Sequence, residues 1–258
     1  MARGLELSPA EALVLLDPRR TKAREALKVT LLSLLGSGHV RIEETPRMLL
    51  GAIVRLHVAK PDPPKPPHEA AVFEVVRIAE SDGRNRMANI VSAAQVRFGA
   101  YFSRLKKDFV LPALEHRGLV VGRRERLLGI FPRTVYARTP GGEVVRQDVE
   151  RRLEQARKLP ALLDSDPKEA AAVALAAGSL ILLIPELRTH YQQIGQAIRD
   201  SGASIGGAGG DSGGAGPSPL TDPGREFPDF GALIDSAFNS IDSGIAAFDA
   251  GGDGGGGD

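Results

Sequence analysis

Apolar residues spaced three and four apart dominate the first 200 positions, and only two short stretches alternate apolar with polar. Ser8-Pro9-Ala10-Glu11 combines an N-cap hydroxyl, a proline at the first helical position and a glutamate at the third, and so opens a short helix carrying Ala12, Leu13, Leu15 and Leu16. Asp17-Pro18 stops it. The next helix places Ala23, Ala26, Leu27, Leu31, Leu34 and Leu35 on one face, with Arg20, Lys22, Arg24 and Lys28 mostly away from it, and Gly36 and Gly38 end it. His39 to Glu43 and Ile53 to Lys60 then alternate, Val54, Leu56 and Val58 to one side and Arg55 and His57 to the other. Two helices followed by a hairpin predict a first winged-helix-like unit over residues 1–60.

Residues 61–67, PDPPKPP, read as a stiff polyproline spacer. Beyond it a helix from His68 to about Glu80 turns Val72, Val75, Val76 and Ala79 inward, and a second helical stretch covers Met87 to Ala94. A long helix from about Phe98 to His116, with Pro112 as a kink, keeps Phe102, Leu105, Phe109 and Leu114 inside. After Gly118 comes a second hairpin from Leu119, closed by Pro140-Gly141-Gly142 before a charged helix, Glu143 to Lys158. Asp166-Pro167 caps an apolar helix from Ala170 to Ile184, expected to lie centrally against both hairpins. LLGSGHVRIE and LEHRGLVVGR stand about 80 residues apart and suggest an internal repeat. The expected fold is mainly α with short β-hairpins (α+β): two winged-helix-like units, 1–60 and 68–200, packed on a central apolar helix.

Composition changes abruptly after Ile198. Seventeen of the 30 glycines fall between Gly202 and Gly257, which predicts a disordered Gly-rich tail over 201–258. Within it Phe230, Leu233, Ile234, Ala237, Phe238, Ile241, Ile245 and Phe248 keep helical spacing, so a short amphipathic helix is expected near 230–248. The tail holds nine acids against Arg225 alone, a charge of −8, so the net +1 of the chain leaves +9 on the first 200 residues. A basic body with an acidic tail points to self-association of the two, or to competition between the tail and an anionic ligand. The absence of cysteine excludes disulfides and thiolate chemistry, and the start of the chain lacks the apolar core of a secretory signal. The longest uncharged apolar run, Ala170 to Pro185, has 16 residues, short of the roughly 20 that span a bilayer. A cytoplasmic location, with attachment at a membrane surface, is expected.

Little in the chain suggests bond-making. The five histidines have no metal-ligand spacing, the glycine runs lack the strand and Lys-Ser of a phosphate loop, and no nucleophile elbow occurs; no cofactor and no metal are expected. The candidate chemistry is basic. Arg104 and Lys107 are three apart on the predicted helix, and the following hairpin carries Arg123, Arg124 and Arg126, able to fold back toward them around a phosphate-like group.

The run KKDFVLPALEHRGLVVGRRERLLGIFPRTVYARTP, followed by a charged helix and DSDPKEAAAVALAAGSLILL, resembles the Golgi phosphoprotein 3 family and its bacterial members, over roughly Leu5 to Ile198. The resemblance implies a non-enzymatic, mostly helical protein that binds phosphatidylinositol 4-phosphate at membrane surfaces. It places the family's helix arginines on Arg104 and, as lysine, on Lys107. The family's headgroup-stacking tryptophan has no counterpart, and its early-helix arginine falls at Leu27, one residue from Lys28. Leu7 to Glu11, the PPHEAAVFEVV segment at Pro66 to Val76, and FNSIDSGIAAFDAGGDGGGGD also resemble the cytosolic, winged-helix-like region of uncharacterised bacterial membrane proteins with a glycine-rich C-terminus, a group whose membrane helices have no match here.

These observations predict a non-catalytic adaptor whose partner is an anionic lipid headgroup or an acidic protein surface. A winged-helix DNA-binding regulator is the alternative, with Asn85, Arg86, Asn89 and Gln95 as base-reading candidates. A cytosolic protein-interaction module is a third. The oligomeric state is left open.

Overall fold

The computed structural model describes residues 6–45, 53–127 and 131–201, together with Ser243. The expected disorder of the tail and the helix at 230–248 lie outside the described residues. What is described is mostly helical, with two separate two-stranded antiparallel sheets. The helices are α1 (Pro9–Leu16), α2 (Ala23–Gly36), α3 (Pro67–Ser81), α4 (Met87–Phe98), α5 (Leu111–His116), α6 (Pro140–Ala156), α7 (Leu159–Ser165), α8 (Pro167–Ala177) and α9 (Tyr191–Asp200). The hairpins are β1 (Val40–Thr45) with β2 (Ile53–Val58), and β3 (Val120–Leu127) with β4 (Phe131–Arg138).

The capping box forms as the residues dictate: Ser8 Oγ accepts from the Glu11 amide at 3.2 Å, and the Ser8 amide donates to Glu11 Oε2 at 2.9 Å. Asp166 caps α8 by accepting from the amides of Lys168 and Glu169. Helix α2 and helix α5 end on the same device. Gly38 and Gly118 both take φ +69°, and the amides of His39 and Leu119 each reach back to a leucine carbonyl five residues earlier. A hairpin follows each glycine, so the two repeated sequence stretches adopt one local backbone.

Two hydrophobic cores share α2. Ala26 and Leu32 face a core built from α1, α5, α6, α7, α8 and α9, whereas Leu27, Leu31 and Leu34 face a core of the first hairpin, α3 and α4. Each of those leucines is almost wholly buried, which stabilises the fold by about 1.5–3 kcal/mol apiece relative to exposure. The expectation of one apolar face on α2 is therefore corrected: the helix is covered on both sides, and even Lys28 is buried. The apolar helix expected from Ala170 to Ile184 is also shorter. It ends at Ala177, where Gly178 adopts φ +56°, and residues 178–183 continue as a 3₁₀ turn. Its principal neighbours are α6, α7 and α9 rather than the hairpins. The proline spacer joins elements of a single core, because α3 packs directly on β2 and α2.

Side chains lock these pieces together. His57 on β2 lies 2.9 Å from Glu80 Oε1 of α3 and 3.0 Å from Glu43 Oε2 of β1, while Glu80 Oε2 accepts the Val58 amide at 2.8 Å. Arg138 at the end of β4 donates to the carbonyl of Leu16 at 2.8 Å and to Glu143 at 2.9 Å, closing the C-terminal end of α1. Pro140-Gly141-Gly142, expected to close the hairpin, is instead the first turn of α6, with Thr139 as N-cap accepting from the Gly142 amide at 2.9 Å.

Candidate functional site

The predicted long helix from Phe98 to His116 is broken in a way that builds a site. Helix α4 ends at Phe98, and Gly99 takes φ +77°. Tyr101 (φ +54°) and Phe102 (φ +58°) follow in the left-handed region, which costs an L-residue about 1–2 kcal/mol each. Two things hold this turn. Phe102 is buried in the second core, and its amide donates to the Gly99 carbonyl at 2.9 Å. The consequence is that Tyr101 is turned outward, 75% exposed. Residues Leu105–Val110 then wind as a π-helix before α5 resumes. Backbone strain and a π-turn in consecutive segments mark places where a fold has been bent to present side chains.

What they present is one wall of a cleft of about 470 Å³. Tyr101, Ser103 and Lys106 line it from this side, and Lys22, Ala23 and Arg24 from the start of α2. Lys22 is the N-cap of α2, and no side chain caps that end, so the amide-rich pole of a 14-residue helix opens on the cleft with the partial positive charge of the macrodipole. Lys106 is half-buried and donates to the Thr21 carbonyl at 2.6 Å. Burial lowers its pKa from the usual lysine value, an effect that nearby Asp17 opposes. Asp17 in turn fixes the α1–α2 turn by accepting from the amides of Arg19 and Arg20, chiefly the second of which lowers its pKa. The lining combines three cationic side chains, the Ser103 hydroxyl and the Tyr101 ring on a mostly apolar surface, with Arg24 Nε 3.5 Å from Glu25 Oε1; such a set can hold an anion through its cationic ends.

Among the five predicted basic residues, Arg104, Lys107, Arg123 and Arg124 do not line the cleft. Arg104 stands beside it, its side chain folded over Gly99 so closely that a Cβ there would lie 3.8 Å from Arg104 Nε. Lys107 is exposed. Three residues apart on an α-helix share a face, but a π-helix makes about 4.4 residues per turn, which parts Arg104 from Lys107 by more than a quarter-turn. Arg123 and Arg124 are both exposed, on adjacent positions of β3 and hence on opposite faces of the hairpin. The side chain of Arg126, which pairs by register with Pro132, lies outside the described residues. Only the uncapped start of α2 could have been noticed beforehand; the left-handed pair and the π-turn have no signature in residue type.

A second polar cluster escaped sequence reasoning because it is sealed. Where α1, α2, α3 and the end of α5 meet, His68 Nε2 lies 2.9 Å from Ser8 Oγ, Ser33 Oγ donates to Glu69 Oε1 at 2.9 Å, and Arg117 Nη1 lies 3.5 Å from Glu11 Oε2. Glu11, His68 and Glu69 are all buried, and neither Glu11 Oε1 nor His68 Nδ1 has a hydrogen-bond partner. Burial, helped by the charge of Arg117, pushes the His68 pKa down to about 4. Burial, with Glu11 adding and the Ser33 hydrogen bond opposing, pushes Glu69 up to about 7. This cluster belongs to the seam between the two cores and opens on no cavity described above.

Among the described residues no group of acidic and histidine side chains could hold a metal ion, and no helix is long and apolar enough to cross a membrane. No family model, curated protein or solved structure matches the chain.

Proposed function

We propose that the protein is a non-catalytic adaptor that holds a phosphate-bearing group in the cleft between the start of α2 and the strained turn at Tyr101. The observation that carries this reading is the convergence of Lys22, Arg24 and Lys106 on one cleft at an uncapped helix N-terminus. Strain supports it, since a left-handed Tyr101 has no packing role of its own, being exposed. Phosphatidylinositol 4-phosphate on a membrane surface is the ligand that the resemblance to the Golgi phosphoprotein 3 family suggests, and the basic residues around the cleft suit any phosphorylated headgroup. The DNA-binding alternative draws on the exposed Arg123 and Arg124 of the second hairpin. It is the weaker reading, because Asn85 Nδ2 lies 3.3 Å from the His57 ring and Gln95 Oε1 is buried without a hydrogen-bond partner.

The test measures binding of the full chain to phosphatidylcholine vesicles with and without phosphatidylinositol 4-phosphate, and to duplex DNA at the same salt. A Lys22→Ala/Lys106→Gln variant is expected to lose about tenfold or more in vesicle affinity, at roughly 1.5–3 kcal/mol per charged hydrogen bond, whereas Arg123→Ala/Arg124→Ala changes it little. The reverse ranking, or steep salt-dependent DNA binding without vesicle binding, would overturn the proposal. A companion substitution tests the strained turn. Tyr101→Gly relieves the left-handed penalty and is expected to raise stability by up to about 1 kcal/mol in denaturant unfolding while weakening vesicle binding. Lower stability with unchanged binding would count against a functional origin for the strain.

A further inference from the structure

The +9 body and the −8 tail are one molecule, and the fold brings Lys22, Arg24 and Lys106 to one cleft, where Glu25 beside Arg24 and Asp17 near Lys106 offset only part of the positive charge. We propose that the acidic segment from Glu226 to Asp249 docks on the basic cleft of its own chain and competes there with the anionic ligand; this rests on the anion-binding reading of that cleft. Charge is the first argument. Glu226, Asp229, Asp235, Asp242 and Asp249 spread five carboxylates along 24 residues with no basic residue after Arg225. Such a segment is repelled by an anionic bilayer and attracted to a lysine-rich cleft.

Apolar complementarity is the second. Tyr101 at the cleft is 75% exposed, and Val96, in the last turn before the strained stretch, is 86% exposed. Both are the kind of surface that phenylalanines such as Phe230 and Phe238 can cover. Reach is the third. The 24 residues from Gly202 to Arg225 include nine glycines, and a glycine-rich chain of that length has a random-coil span of about 27 Å root-mean-square. A body of this size has a radius of gyration of about 16 Å, and the tether's contour length of roughly 80 Å lets the segment reach any face. Tethering supplies the segment at an effective concentration in the millimolar range, enough for weak individual contacts to fill the cleft until a multivalent membrane displaces them.

The experiment uses the full chain throughout. Carbodiimide coupling at low salt, read by mass spectrometry, is expected to join tail carboxylates to Lys22 or Lys106 within single chains, independently of protein concentration, and to be suppressed by phosphatidylinositol 4-phosphate vesicles. A variant with Asp229, Asp235, Asp242 and Asp249 each changed to Asn is expected to bind those vesicles about tenfold more tightly than the wild type. Coupling that is absent, scattered over all lysines, or dependent on protein concentration overturns docking in the same chain, as does unchanged vesicle affinity of a variant when the wild type binds. Coupling at Lys22 and Lys106 in a protein whose wild type and variant both ignore vesicles leaves the docking standing and removes the lipid reading instead.

Discussion

Gly142→Ala is expected to destabilise the fold by about 2–4 kcal/mol. A Cβ on Gly142 would sit 1.9 Å from the carbonyl oxygen of Leu119 and 2.8 Å from its carbonyl carbon. Backbone, unlike the end of a flexible side chain, has nowhere to go here. The Leu119 carbonyl accepts the Thr139 amide at 3.0 Å, the Thr139 hydroxyl donates to the Gly118 carbonyl at 2.6 Å, and the same hydroxyl accepts the Gly142 amide at 2.9 Å. Any shift that admits the methyl group breaks the joint between the base of the second hairpin and the first turn of α6. Gly141→Ala is the control, since a Cβ there meets only the Thr139 hydroxyl at 3.7 Å, and its effect should stay within about 0.5 kcal/mol. Equal losses in the two variants, measured by denaturant unfolding, would refute close approach as the cause.

Glu69→Gln and His68→Gln are expected to tilt the pH dependence of stability in opposite directions. Glu69 titrates near 7 in the fold against an ordinary value of 4.5, so its contribution is fully present below 4.5 and is lost as pH rises through 7. His68 titrates near 4 against an ordinary 6.5, so its contribution is fully present above 6.5 and is lost as pH falls through 4. Between about 4.5 and 6.5 the unfolded chain holds an ionised Glu69 and a charged His68, whereas the fold holds both neutral. The proton count is the same on each side, and the pair contributes almost no slope. Removing Glu69 removes a contribution that falls with pH: relative to wild type, stability should climb by about 3 kcal/mol from pH 4.5 to 7. Replacing His68 removes a contribution that rises with pH, and relative to wild type stability should fall by a similar amount from pH 4 to 6.5. Reading each variant as a difference from wild type cancels the other carboxylates. Parallel difference profiles would show that neither group is shifted by its burial.

Local signals were legible wherever the chemistry is local. Ser8-Pro9, Asp166-Pro167, the alternation of Val54 with Arg55, and the glycines at 38 and 118 act on their own neighbours, so residue type and spacing suffice to place a cap, a strand or a left-handed turn. Thr139-Pro140 carries the same cap signal as Ser8-Pro9, yet two glycines after it read as a turn; only the approach of the Leu119 carbonyl explains why glycine is needed inside a helix. The cleft lies next to the predicted basic helix residues but is lined by others. Lys106 rather than Lys107 lines the cleft, in a stretch where a π-turn changes the angle between successive side chains, and Arg123 and Arg124 stand on opposite faces of their hairpin.

The order and kind of most elements, the two helix–glycine–hairpin passages, the split between a basic body and an acidic tail, and the absence of cysteine chemistry follow from the residues alone, because each depends on neighbours within a few positions or on composition. Tertiary structure decided that α2 serves two cores at once, that Tyr101 and Phe102 are forced into left-handed backbone so that one is buried and the other shown, and that Lys22, Arg24 and Lys106 meet. It also decided that His68 and Glu69 are sealed. Those outcomes depend on groups 36 to 85 residues apart being brought within a few ångströms, and no spacing rule along the chain encodes that distance.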